Sequence, residues 1–268
     1  MNKIVKHINL RIFEYLYINL ILMLKLFKEY KSNVLIQIIT QVLYFMSYFI
    51  LFYIVSSKLN LTTWSTFDFF FYIIIIDTIV TFSGIFLWKL GLKQMITTGS
   101  LSQYIVRPIS PFVGFQLSNL SINGFIQFLC NMCIFIFLLN SDLVNFSFVL
   151  VDYFIMILIS IFYILVRLFS ASVNFFSFGL SHFLYFEFFK SASSSFKMFP
   201  SPFFNNFPYQ KFLFIFPNFY IGSILFNHME TGILNIKFIL ILISLILFLI
   251  CFIIFNWKYG LKKYEAYG

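Results

Sequence analysis

"FILILISLILFLICFIIF", Phe238 to Phe255, runs for eighteen residues without a charge, a glycine or a proline. A helix rises about 1.5 Å per residue, so roughly 20 apolar residues cross the ~30 Å hydrocarbon layer of a bilayer. The stretch reads as a membrane crossing. It fixes the solvent in which the remaining sequence has to be understood.

The composition agrees. Of 268 residues, 61% are apolar and only 10% are charged, with Phe alone contributing 43. A water-soluble fold of this length carries about a quarter charged residues. So small a supply cannot coat a soluble surface, and lipid is therefore the solvent of most of the chain. Cys130, Cys133 and Cys251 all lie inside apolar runs and read as small packing residues.

Outward from Phe238–Phe255, five more runs are long enough to cross. Residues 34–55 carry no charge, 69–88 carry Asp77, and 112–139 again carry none. Residues 148–169 hold Asp152 and Arg167 near their ends, and 171–189 hold His182 and Glu187. The expected fold is an all-α membrane protein with six transmembrane helices. Before them, the apolar stretch Ile12 to Leu24 is interrupted by Glu14 and bounded by Lys25, too short to cross, which predicts that residues 4–27 form a helix lying in the interface within a cytoplasmic segment, 1–33. Residues 212–226, broken by Pro217, predict an outer segment that dips into the membrane edge and returns before the last crossing. Residues 34–268 then form the transmembrane domain.

Basic residues orient the chain. With the N-terminus inside and six crossings, thirteen of the eighteen Lys and Arg fall on the inside against three acidic residues, while the outside is balanced. Both termini are expected in the cytoplasm. The positive charge is thus a topology signal, and no nucleic-acid partner is implied.

Two sets of residues break the apolar pattern. In the inside loop, "TTGSLSQYIVRPISP", Thr97 to Pro111, places Leu101, Tyr104 and Ile105 at helical spacing after Gly99, with Arg107 and Pro108 following. The spacing predicts a short amphipathic helix across the inner membrane face; an ordinary basic loop is the alternative. Within the crossings, Asp77, Thr81 and Gly84 share one helical face, and Asn119, Asn123, Gln127 and Asn131 recur every four residues. A carboxylate or an amide facing lipid tails leaves its hydrogen-bonding groups unpaired. Both stripes must therefore look toward protein or a wet cavity, as glue between helices or as lining of a path.

The loop residues Gly99, Leu101, Tyr104, Arg107, Pro108 and Ser110 resemble the "G-x-L-x-x-(Y/L)-L-x-R-P-(I/V)-S" loop of ATP-binding-cassette type-2 exporter permeases. The likeness is nearest to a bacterial branch that includes viologen- and drug-exporter-like subunits. "LTTWSTFDFFFY", Leu61 to Tyr72, is similar to the Gly-Trp segment before that branch's second crossing, with Thr63 in place of the glycine. "WKYGLKKYEAYG", Trp257 to Gly268, is similar to its W-x-x-G-L-(R/K)-(R/K)-Y ending. The outer "MFPSPFFNNFP" and "FIFP" segments agree as well, so the resemblance spans almost the whole chain.

The resemblance implies a permease in the bacterial cytoplasmic membrane that carries a hydrophobic or amphipathic cargo outward, paired with a second permease, identical or different. Residues 4–27 take the part of a connector helix, residues 97–108 a coupling helix and residues 198–230 an outer re-entrant segment. The chain holds no GxxxxGK(S/T) phosphate loop. ATP and magnesium are therefore expected on a partner ATPase, with no cofactor and no enzyme activity in this chain. The alternative is a stand-alone channel or secondary carrier using Asp77 as an ion or proton site.

Overall fold

The computed structural model describes residues 27–58, 65–86, 92–106, 110–118, 120–141, 143–144, 148–177 and 213–264, with 14, 17–19, 21–22, 25, 180 and 184 as isolated positions. In chain order the described helices are Lys31–Lys58 (α1), Thr66–Ile85 (α2), Leu92–Thr97 (α3), Ser102–Ile105 (α4) and Pro111–Ser118 (α5). Then come Ile122–Leu139 (α6) and Leu150–Ser172 (α7), which a 3-10 turn, Val173–Phe175, extends. Pro217–Tyr220 (α8), a π-helical stretch Ile221–Phe226 and Asn227–Thr231 (α9) precede Ile236–Lys263 (α10). There is no strand among the described residues, and five helices are long and apolar enough to cross a membrane. These are Lys31–Ile54, Thr66–Ile85, Ile122–Leu139, Leu150–Phe175 and Ile236–Lys263.

Local chemistry moves several boundaries from where charge and hydropathy put them. The second crossing starts at Thr66 instead of 69, because Ser65 and Asp68 form a capping box: the Asp68 N–H donates to Ser65 Oγ, and Asp68 Oδ2 accepts from the Ser65 N–H at 2.8 Å. The expected third crossing, 112–139, is two helices. The Ser121 N–H leaves the helical ladder to donate to the Ile85 carbonyl at 2.8 Å, and Ser121 Oγ caps Gly124. The fourth crossing does not stop at 169 but runs through Phe175, absorbing Ala171, where the fifth was expected to begin. The rest of 171–189 lies outside the described residues apart from 176, 177, 180 and 184. Of the expected interfacial helix 4–27, residues 14, 17–19, 21, 22, 25 and 27 are helical and the others lie outside the described residues.

The core is built around α2. Every residue from Phe71 to Ile79 is buried. Phe71 stacks on Phe135 of α6, Tyr72 meets Phe226 of the π-helical stretch, and Phe69 stacks on Phe52 of α1. The Phe surplus therefore fills the interior as well as the outer faces. The helices α1 and α10 lie at the periphery, showing apolar side chains such as Leu43, Met46, Ile50, Leu240, Leu247 and Ile254. At one end Asp152 is buried; its Oδ2 accepts from the Val149 N–H and its Oδ1 lies 2.7 Å from His228 Nδ1, tying the start of α7 to α9. Tyr163 on α7 donates to Asn218 on α8. The Tyr220 hydroxyl donates to the Phe214 carbonyl at 2.8 Å. The segment Pro217–Thr231 is thereby seated against α2 and α7.

Candidate functional site

Two sites draw on the polar and motif residues: a band of polar side chains between three of the apolar helices and a loop held at one end of the helices.

In the band, α1, α2 and α6 meet. The amides of α6 pair with amides of α1: Gln41 Nε2 donates to Asn131 Oδ1 at 2.8 Å, and Gln127 Nε2 donates to Gln37 Oε1 at 3.4 Å. Asn131 Nδ2 in turn donates to Thr81 Oγ1 at 3.2 Å, and the Thr81 hydroxyl donates to the Asp77 carbonyl at 2.6 Å. Asp77 is buried, and the Tyr44 side chain of α1 is hydrogen-bonded to it and to Tyr48. At the end of this face, Gly124 of α6 lies so close to Gly84 that a Cβ there would stand 3.2 Å from the Gly84 carbonyl carbon. Thr81 and the Gly84 backbone thus face α6, Asp77 meets Tyr44 of α1, and a Cβ on Gly84 would lie 3.5 Å from an Arg167 guanidinium nitrogen of α7.

Asn123 is half-buried on α6 one turn before Gln127, and Asn119 lies outside the described residues. The stripe on α6 points at a matching stripe that its own pattern did not reveal. Asn33, Gln37 and Gln41 repeat every four residues on α1, ninety positions before Asn123, Gln127 and Asn131. That equal offset was the available signal.

In the loop, α3 ends at Gly99, whose φ of 72° is a left-handed conformation that suits glycine. The Thr98 N–H donates to the Gln94 carbonyl and the Leu101 N–H to the Met95 carbonyl, closing the turn. Of the expected helix over 97–108, only Ser102–Ile105 (α4) is helical after the turn at Gly99, and 107 and 108 lie outside the described residues. Its apolar residues do not form one outward face. Leu101 is 0% and Tyr104 8% exposed, packed with Leu92, Met95, Phe115 and Trp257, whereas Ile105 is 45% and Val106 85% exposed. Tyr104 packs edge-on against Phe115. Periodicity placed Leu101, Tyr104 and Ile105 together; the bend at Gly99 turns the first two into the protein. Arg107 and Pro108 lie outside the described residues.

Trp257 of α10 is the hub of this cluster, with ring centroids 5.1 Å from Phe112, 5.9 Å from Phe115 and 5.2 Å from Phe175. Gly260, one turn on, lets α10 approach the 3-10 turn: a Cβ there would meet Phe175 Cγ at 2.3 Å. Asn256 donates to Ser172 at 3.1 Å. The loop motif and the tail motif, far apart in sequence, are two sides of one packed unit.

A family model described as "ABC-2 family transporter protein" matches residues 39–268. No curated protein and no solved structure matches the chain.

Proposed function

The chain belongs to the ABC-2 family of transporter proteins, and on that premise we propose that it is the membrane half of an ATP-driven exporter, moving a hydrophobic or amphipathic cargo (drug, peptide or lipid-like molecule) out of the cytoplasm. ABC-2 proteins are the permease components of ABC transporters, with ATP hydrolysis on a separate ATPase subunit, and this chain is a multi-pass membrane protein. In the proposal ATP and magnesium are held by that partner, a second permease of the same or a different kind completes the path, and both termini lie on the cytoplasmic side of a bacterial plasma membrane.

Helix direction supports six crossings. Phe169 packs on Phe252 and Ser172 bonds Asn256, so α7 and α10 run the same way. Two consecutive crossings in one direction require the chain between them to cross back.

The observation that carries the coupling proposal is the exposed Ile105–Val106 tip on a loop whose Leu101 and Tyr104 are packed into the helices. A motor that moves this tip moves α5, α7 and α10 with it, because Trp257, Phe115 and Phe175 join them into one body. No covalent chemistry is needed in this chain; the work is a switch between two arrangements of rigid helices. Replacing Ile105 and Val106 by Ser together tests it. The expected result is normal membrane insertion with loss of ATPase capture on copurification and of cargo-stimulated hydrolysis. Unchanged capture and hydrolysis would overturn the coupling assignment.

A further inference from the structure

The two amide rungs share one offset. Gln37 with Gln127 and Gln41 with Asn131 are each ninety positions apart, so α1 and α6 run parallel and successive rungs lie one helical turn apart. The stripes Asn33–Gln37–Gln41 and Asn123–Gln127–Asn131 repeat every four residues on both helices. A pattern of this kind matches itself again when one helix moves past the other by four residues, about 6 Å.

We infer that α1 slides by one turn along α6 and α2, between the register described here and a second one in which Gln37 faces Asn131 and Asn33 faces Gln127. The inference rests on the permease reading, because it assigns the slide to the switch between inward-open and outward-open states.

The contacts of α1 with α2 carry the same period independently. Phe70 is met by both Phe45 and Phe49, at 5.9 and 5.4 Å, and Phe49 also lies 5.5 Å from Phe67. After a one-turn slide toward the C-terminal end of α1, Phe45 takes the place of Phe49. Tyr48 then takes the place of Phe52, which stacks on Phe69 at 5.1 Å. Tyr44 at Asp77 is succeeded by Thr40, another hydroxyl, and Tyr44 moves to the position of Tyr48. At these positions rings replace rings and hydrogen-bonding groups replace hydrogen-bonding groups, whereas Gln41 takes the place of Phe45 and meets Phe70. Gln41 alone loses its amide partner, which leaves the described register the more stable of the two.

The medium makes this periodicity matter. Asn131 is fully buried, so a slide by any other distance would leave its amide unpaired as well as that of Gln41. The outer face of α1, with Leu35, Ile39, Leu43, Met46 and Ile50, is exposed and apolar, and lipid tails set no register on it. One-turn ratchets of packed elements are a known form of two-state switch.

Paired cysteines read the register directly, in a chain whose Cys130, Cys133 and Cys251 have been replaced by Ala. Gln37→Cys with Gln127→Cys reports the described register, and Gln37→Cys with Asn131→Cys reports the slid one. Both are treated with a short bifunctional thiol reagent in membranes that contain the partner ATPase. Without nucleotide the 37–127 product should dominate; trapping with ATP and vanadate should invert the ratio. Asn33→Leu removes only the slid-state rung and should suppress the 37–131 product while leaving the 37–127 product unchanged. If the ATPase copurifies and turns over but the 37–131 product never forms, the ladder is fixed glue and the slide is wrong. If no ATPase copurifies, the permease reading fails separately, and nucleotide-free membranes then decide the slide: both products support it, the 37–127 product alone overturns it. Should the cysteine pairs disturb insertion, Asn33→Leu alone decides. Loss of the ATP hydrolysis of the membrane complex at unchanged thermal stability supports the slide, and unchanged hydrolysis overturns it.

Discussion

The loop cluster and the amide band hold helices together by opposite means. Around Trp257 the contacts are apolar and tight: Leu101 and Met95 are buried, rings pack edge to face, and a glycine admits the closest approach. Between α1 and α6 the fixed points are hydrogen bonds between amides. The difference follows from solvent. At a helix end that meets water, burying apolar surface is favourable at about 25 cal/mol per Å2. Within lipid that gain vanishes, because tails are as apolar as leucine, and packing with interhelical hydrogen bonds takes over. The first region suits a rigid lever and the second an interface that is specific in register yet weakly held.

That contrast can be broken from either side, and the largest effect is expected at Gly260. With Phe175 Cγ 2.3 Å from the position of a new Cβ, Gly260→Leu cannot be seated without moving α10 off the 3-10 turn. The yield of folded protein in detergent should collapse, while Gly232→Ala, where no atom lies within 4 Å, should be far milder despite its φ of 69°. Leu101→Ala comes next. Truncating a fully buried leucine costs about 2–5 kcal/mol when the site cannot collapse. Insertion should survive, but protease should cut the loop faster and cargo-stimulated hydrolysis should fall.

Changes in the amide band should be smaller. Gln41→Leu keeps much of the volume and removes one interhelical bond, and such bonds in membranes are worth about 0.6–2 kcal/mol. A fall of a few degrees in thermal unfolding of the purified chain is expected. A drop as large as that for Leu101→Ala would mean that the band is the stronger joint. At the far end of the scale, Val106→Ala should leave unfolding unchanged, since the side chain is 85% exposed.

Sequence and structure part company where hydropathy stops carrying information. The run Phe238–Phe255 lies wholly within α10 because nothing in it competes with helix or lipid. Asp68, by contrast, reads as a charge outside the crossing but serves as its cap. Ser121 breaks the third crossing without glycine or proline, because its N–H finds the Ile85 carbonyl on another helix. No local pattern records that bond. The amide stripe on α6 was legible from its four-residue repeat, while its partners Gln37 and Gln41 became visible only once the two helices were side by side. For Leu101 and Tyr104 the periodicity marked a buried face correctly in kind. It could not say whether the protein itself or a partner buries it, and the left-handed turn at Gly99 decides that.

The most direct test of the coupling account separates those two possibilities in one experiment. A photoreactive maleimide is attached to Val106→Cys or to Leu101→Cys in everted membranes containing the partner ATPase, with the native cysteines replaced. Irradiation should attach the ATPase subunit to position 106 and leave it unattached at position 101, where the side chain is enclosed by Met95, Phe115 and Trp257. Attachment at 101 with none at 106 would contradict the account and return docking to the face that the sequence spacing first suggested.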